Sequence, residues 1–303
     1  KLDSYKQQNI LGATSRFPKW ALAHKLPAEE AITKLLDVKF QIGRTGSITP
    51  VALLKEVVIG GVKVSRATLH NEDEVKRLDL KIGDTIKLQR AGDVIPKIIK
   101  VLPEYRDNFQ REILFPEVCP SCNQKLIKLK KEVVKRCTNY DNCDEQRIFR
   151  LCHFASRQAL NIEGLGEKQI RFFFKEKIIN NFEDIFTLKN RYKNNLVSLL
   201  KYDGWGEKSI LNLFDSINKS SKVTFDKFIY SLGIRHIGKE VAGILSSKFN
   251  NLDNFLRVFS NNNTENLSNV EGIGETIINS LTYYFSEYKN YKLVKRLSFF
   301  LDI

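Results

Sequence analysis

Cys119-Pro120-Ser121-Cys122, fourteen residues, then Cys137-Thr138-Asn139-Tyr140-Asp141-Asn142-Cys143: this stretch places four of the chain's five cysteines inside 25 residues. The spacing is C-x2-C followed by C-x5-C. Pro120 and Ser121, and the run Thr138 to Asn142, are turn formers that let paired sulfurs converge. Four thiolates suit zinc and close a tetrahedral site with no open position for a substrate, which makes the metal structural. No secretory signal is expected from the polar run Lys1–Asn9, so a disulfide framework is the weaker reading; free thiols are the remaining one. Cys152, in the apolar run Leu151–Phe154, reads as a core thiol, and His153 lies ten residues beyond Cys143, too far to be favoured as a ligand. The cluster also divides the chain, because the sequence pattern differs on its two sides.

Upstream, from Asp37 to Val101, apolar and polar residues alternate. Val38, Phe40 and Ile42 alternate with Lys39 and Gln41, and Ile86 and Leu88 with Lys87 and Gln89. Period two is the signature of half-buried strands. Turn signals recur at Gly43–Gly46, Gly60–Gly61, Gly83–Asp84 and Gly92–Asp93. About five short strands of this kind predict a small barrel of the OB type, with a short polar helix over Asn71–Arg77. Arg44, beside Thr45 and Gly46, and Arg90, beside Gly92, sit at turns where they could meet phosphates; solvated turn charges explain them equally well.

Downstream, residues 164–303 carry a weak internal repeat. Its units are Gly164-Leu165-Gly166-Glu167-Lys168, Gly204-Trp205-Gly206-Glu207-Lys208, His236-Ile237-Gly238-Lys239-Glu240 and Gly272-Ile273-Gly274-Glu275-Thr276. The second glycines are 40, 32 and 36 residues apart, and each opens an apolar segment of helical period. A small residue, an apolar plug and a glycine make a tight turn that directs backbone N–H groups outward at a helix N-terminus, where a phosphate can be held without reading a base. One G-x-G is weak evidence. Four of them, each starting a helix, predict an all-α helix-hairpin-helix DNA-binding domain, with phosphate contacts at Gly164, Gly166, Gly204, Gly206, Gly238, Gly272 and Gly274. The third unit, where His236 replaces the first glycine, reads as structural.

Charge agrees with a polyanionic partner. The 303 residues carry a formal net charge of +14, and lysines and arginines gain affinity by displacing counterions condensed on phosphates. Plain solubility is the bland alternative. No apolar run approaches the roughly 18–20 residues of a membrane helix, so no membrane is expected. The sequence has no methionine, and the chain is expected to begin inside a longer product.

The order of these modules resembles bacterial NAD-dependent DNA ligases. The run from Thr14-Ser15-Arg16-Phe17-Pro18-Lys19-Trp20 through His24-Lys25-Leu26-Pro27 is similar to the end of that family's adenylation domain. Gly43-Arg44-Thr45-Gly46, Thr68-Leu69-His70-Asn71, Arg90-Ala91-Gly92-Asp93-Val94-Ile95-Pro96, the four cysteines, Ile162-Glu163-Gly164-Leu165-Gly166 and Leu232-Gly233-Ile234-Arg235-His236-Ile237-Gly238 continue the likeness in the family's order. The resemblance implies sealing of 3′-hydroxyl to 5′-phosphate at nicks in duplex DNA, in replication and repair, through transfer of AMP from NAD to a lysine and then to DNA. It further implies a structural Zn2+, a catalytic Mg2+ or Mn2+, a monomer and a bacterial cytoplasmic, nucleoid-associated location. By the same resemblance Lys25 and Lys1, 24 residues apart, match nucleotide-contacting lysines, and Arg44, Thr45, Arg90, Val94 and Ile95 match barrel positions used against DNA. A lysine is a compact cation suited to a transferring phosphate; for a lone Lys1 the plain reading would be a solvated end residue.

The family's AMP-accepting lysine sits in K-x-D-G. Lys201-Tyr202-Asp203-Gly204 matches literally but contains the first glycine of the second hairpin, and Lys1-Leu2-Asp3-Ser4 lacks the glycine. Neither is the nucleophile, which is expected upstream of residue 1, and a BRCT domain is expected beyond this stretch. The expected organisation is a multidomain α+β chain: adenylation-domain tail over 1–33, OB-fold over 34–106, four-cysteine zinc finger over 107–150 and helix-hairpin-helix domain over 151–303. The competing class is a non-enzymatic zinc- and hairpin-containing DNA-binding scaffold.

Overall fold

The computed structural model describes residues 1–14, 17–24, 28–90, 96–128, 132–192, 205–260 and 265–303. The chain packs as two compact units, Lys1–Asn139 and Tyr140–Ile303. Lys25, Val94, Ile95 and Gly204, and all of Lys201–Gly204, lie outside the described residues.

In the first unit, a helix α1 (Tyr5–Leu11) buries no residue. It is followed by five strands: β1 (Glu29–Ile42), β2 (Ile48–Ile59), β3 (Val62–Thr68), β4 (Thr85–Arg90) and β5 (Lys97–Val101). They close into a barrel of order β1-β2-β3-β5-β4, antiparallel except where β3 meets β5 in parallel through Thr68 and Lys97. The expected alternation holds in the strands that suggested it. Val38, Ile42, Ile86 and Leu88 are buried, Lys39 and Gln41 exposed, and the core gathers Leu35, Ala52, Leu54, Val64, Leu69 and Ile98.

β1 is longer than expected. It starts at Glu29, pairing Glu29 with Arg90, so it runs across the 33/34 boundary drawn from sequence. A register shift between Leu35 and Asp37 hides its first half from a period-two reading: Leu35 is buried while neighbouring Leu36 is 51% exposed. An extra residue flips the in-out phase, so the alternation breaks although the strand continues. The helix α2 (Glu72–Arg77) forms as the sequence suggests, its N-terminus capped by Asn71, whose Oδ1 accepts the Glu74 N–H at 2.9 Å.

The second unit is helical: α3 (Asp144–Ala155), α4 (Glu167–Lys175), α5 (Phe182–Tyr192), α6 (Glu207–Ser220), α7 (Phe225–Ser231), α8 (Lys239–Phe249), α9 (Leu252–Ser260), α10 (Glu265–Ser268), α11 (Glu275–Ser286) and α12 (Tyr288–Leu297). α3 crosses the 150/151 boundary. A single hydrophobic core runs from Ile148 to Leu301. At its centre Phe255 is enclosed by Phe225, Phe249, Phe259 and Phe285, with ring centroids 5.3–5.9 Å away. The last residues return to the middle of the unit: Asp302 N–H donates to Ser221 O at 2.7 Å, and Val223 N–H donates to Asp302 O at 3.0 Å. Among the described residues no helix is long and apolar enough to cross a membrane.

Candidate metal centre and nucleic-acid interface

The cysteine quartet converges. The Sγ atoms of Cys119, Cys122, Cys137 and Cys143 all lie within 4.8 Å of one another, with Cys122 and Cys137 3.5 Å apart. A tetrahedral Zn2+ with Zn–S near 2.3 Å requires sulfurs about 3.8 Å apart, so the donor set fits. The first knuckle is a tight turn in which Asn123 N–H donates to Cys119 O at 2.9 Å and Cys119 N–H donates to Gln124 O at 2.8 Å. Asn123 takes φ +58°, a conformation asparagine tolerates. The second knuckle, the longer x5 turn, ends at Cys143, the N-cap of α3.

Burial pushes the Cys119 and Cys137 thiols up. For Cys122 burial also acts upward, but the Gln124 backbone and the Cys137, Asn139 and Cys119 side chains bring it down to about 7. A bound cation would favour the thiolate at all four, with release of protons. Cys152 lies outside the quartet. It packs half-buried against the helical core, and burial, then Glu167, raises its thiol to about 11. His153 is a tether rather than a ligand, its Nε2 2.8 Å from the Tyr230 carbonyl.

The finger is built onto the barrel. Two short strands, β6 (Leu126–Ile127) and β7 (Arg136–Cys137), pair within it, and β7 also bridges Ser47 in the β1–β2 turn. Cys137 N–H donates to Gly46 O at 2.9 Å and Ile48 N–H donates to Lys135 O at 3.1 Å. Arg136 donates from Nη1 to Thr45 Oγ1 at 3.1 Å and from Nε to Glu132 at 2.6 Å. Lys135 reaches Glu72 of α2 at 3.4 Å. Phe115, on the approach to the finger, packs edge-on against Phe40 of the barrel, centroids 5.0 Å apart. No local pattern announces Arg136, because its partner Thr45 is 91 residues away in sequence.

Of the barrel residues predicted to meet DNA, Arg44 and Thr45 sit half-buried in the β1–β2 turn. Arg90 stands at the other end of β1, donating to Gly60 O at 3.3 Å. The structure therefore separates the two arginines by the length of β1. Thr68 and Asn71 serve the local fold: Thr68 Oγ1 accepts from His70 N–H at 3.1 Å and Asn71 caps α2. Lys1 is exposed, and its neighbour Leu2 donates from its N–H to Trp20 O at 2.9 Å.

The hairpin turns repeat one geometry. Gly166, Gly206, Gly238 and Gly274 are the N-caps of α4, α6, α8 and α11, and none has a side-chain capping bond. The plugs Leu165, Ile237 and Ile273 are buried, while the flanking Gly164, Gly166, Gly238, Gly272 and Gly274 are exposed. The same bond closes three of the turns: Leu165 to Ile162 at 3.3 Å, Ile237 to Ile234 at 3.1 Å and Ile273 to Val270 at 3.0 Å. Gly164 and Gly272 take φ +84° and +85°, and His236 takes +64° in the equivalent place. The third unit thus keeps the turn without the glycine. In the second, Trp205 replaces the aliphatic plug and leans half-exposed on Phe173, centroids 4.9 Å apart.

Comparison with known proteins matches three stretches of the chain. Residues 32–110 match the NAD-dependent DNA ligase OB-fold domain, residues 118–144 the NAD-dependent DNA ligase C4 zinc finger domain, and residues 227–294 the helix-hairpin-helix motif. A DNA ligase of Rickettsia prowazekii is 45% identical over 309 residues, covering 100% of this chain and 45% of the relative. A DNA ligase of Parvibaculum lavamentivorans is 43% identical, covering 98% and 43%. The chain spans about 45% of the length of the first of these curated relatives. With the barrel, the four-cysteine finger and the hairpin helices in this order, the chain is similar along its whole length to bacterial DNA ligases, and its barrel and finger match the NAD-dependent DNA ligase modules.

Proposed function

We propose that this chain is the DNA-gripping part of an enzyme that seals nicks between 3′-hydroxyl and 5′-phosphate in duplex DNA, drawing AMP from NAD, in replication and repair. The observation that carries the reading is the recurrence of one turn geometry at the starts of α4, α8 and α11, and of a glycine N-cap without side-chain cap at α6 as well. Uncapped helix N-termini attract phosphate oxygens through their N–H groups and the helix dipole. Spaced around one packed core, they suit a phosphate backbone and carry no base information.

In this reading the exposed glycines, with Arg44, Thr45 and Arg90 and the undescribed Val94, Ile95 and Gly204, meet DNA. Lys1 and Lys25 meet the nucleotide, offsetting charge on a phosphate in transfer. Cys119, Cys122, Cys137 and Cys143 hold Zn2+ as a folding element. When bound, NAD would supply the AMP that activates the 5′-phosphate, and Mg2+ or Mn2+ would offset phosphate charge. The segments 1–33, 34–106, 107–150 and 151–303 act as adenylation-domain tail, barrel, finger and hairpin domain of a monomer working on nicked DNA in the cytoplasm at the nucleoid. Alone, the chain transfers no AMP to itself, because neither Lys201 nor Lys1 sits in a credible nucleophile motif.

Two measurements test this. Incubation with adenylate-labelled NAD is expected to leave the chain unlabelled; a stable lysine–AMP adduct overturns the assignment of the nucleophile. Titration with nicked and unrelated-sequence duplexes is expected to give salt-steep, sequence-tolerant binding, and no binding at low salt overturns the gripping role.

A further inference from the structure

We propose that Arg136 of the finger is a positioning residue for the Arg44–Gly46 turn, so that metal binding in the finger sets the DNA contact made by the barrel. This rests on the reading of Arg44 as a DNA contact. Within the turn, Gly46 N–H donates to Gly43 O at 2.9 Å and Gly43 N–H to Ser47 O at 2.8 Å, with Gly46 at φ +77°. Its outer side is held by the finger. Gly46 O accepts from the N–H of Cys137, itself in the sulfur quartet, at 2.9 Å, and Thr45 Oγ1 and O accept from Arg136 Nη1 at 3.1 and 3.3 Å. Arg136 is fixed in turn by Glu132 at 2.6 Å, and its side chain is 18% exposed. One guanidinium therefore spans the finger loop and the barrel turn, which a lysine's single ammonium cannot do with the same two directions.

The chain of contacts runs from Cys137 Sγ through its own backbone to Gly46, one residue beyond Thr45 and two beyond Arg44. Thr45 accepts from Arg136 at its hydroxyl oxygen, which leaves its own O–H free to donate to DNA. Losing the metal would free β7, and the turn would lose its outer wall while the barrel core, anchored on Leu35, Ile86 and Leu88, stays intact.

The test uses the whole 303-residue chain and a nicked duplex. In zinc-loaded protein, Arg44→Ala is expected to reduce the slope of log affinity against log salt by about one, the signature of a lost phosphate contact. Thr45→Val, which changes no charge, and Arg136→Lys, which keeps the charge, are expected to produce the same reduction, with Thr45→Ser restoring it. Adding Arg44→Ala to either is expected to change little more, because residues acting through one contact are non-additive. Hydrogen exchange gives a readout independent of DNA: chelation is expected to deprotect the Ile48 amide, which donates to Lys135 O, while Leu88 inside the barrel stays protected. Ile48 unchanged on chelation, or a full Arg44 effect surviving in Thr45→Val and Arg136→Lys, overturns the proposal. A silent Arg44→Ala in zinc-loaded protein overturns it too, and is distinguishable because the DNA reading of the turn fails there even if Ile48 responds.

Discussion

Asp84 is fully buried and ionisable, and it tolerates that position because Arg106 closes on it. Arg106 donates from Nε and Nη2 to the two Asp84 carboxylate oxygens, both at 2.8 Å, and from Nη1 to Asp79 at 2.7 Å. Lys81 N–H adds a further bond to Asp84 at 2.8 Å. The Asp84 hydrogen bonds first, then those of Asp79, hold the guanidinium above its ordinary value. Arg106→Ala leaves a buried carboxylate without its counter-charge and is expected to cost about 3–5 kcal/mol, read as a shift of the urea midpoint. Asp79 lies on the exposed side, and hydrogen bonding from Arg106 holds its carboxyl below the usual range. Its folded value is therefore depressed: the contribution is present above the unfolded value near ~3.9 and is lost as pH falls through the lower folded value. Asp79→Asn is expected to flatten the acid limb of the stability profile below about pH 4 and to leave neutral-pH folding intact. None of this clamp was legible in the sequence, because Asp84 and Arg106 are 22 residues apart and no periodicity links them.

At the scale of elements, the four turns separate stability from grip. Gly164 needs its positive φ, and Gly164→Ala is expected to destabilise by about 1–2 kcal/mol from the left-handed backbone alone. Gly206, Gly238 and Gly274 have negative φ and open space where a Cβ would stand. Their alanine variants are expected to lower stability only slightly, by about 0.5–1 kcal/mol as poorer N-caps, and to lose duplex affinity, since the methyl stands where a phosphate approaches the helix end. Unchanged affinity would remove those turns from the interface. The repeat was readable because each unit is local: glycine, plug and the start of the helix are consecutive in sequence. The first half of β1 was not, because the shift at Leu35–Asp37 inverts its phase. The finger's second role was hidden for the same reason as the clamp. The spacing of the cysteines announces a metal, but only the fold brings β7 to Ser47.

For the molecule as a whole, the metal is expected at one zinc per chain by elemental analysis. Chelation or Cys137→Ser is expected to lower stability and DNA affinity together, as metal binding free energy is also folding free energy; unaltered folding after chelation would argue that the quartet is dispensable. With a net charge of +14, binding is expected to fall steeply with salt, by a slope near about −0.9 per neutralised phosphate, and a strong preference between sequences would contradict helix-end contacts.

The plug of the second hairpin gives the chain an optical handle. The chain has two tryptophans, and Trp205 stands half-exposed between a glycine N-cap and the ring of Phe173, whereas Trp20 belongs to the other unit. A Trp20→Phe variant would therefore carry a single indole, seated in the proposed contact surface. Its emission maximum and quenching by iodide would report occupancy of that one hairpin in real time, without a label.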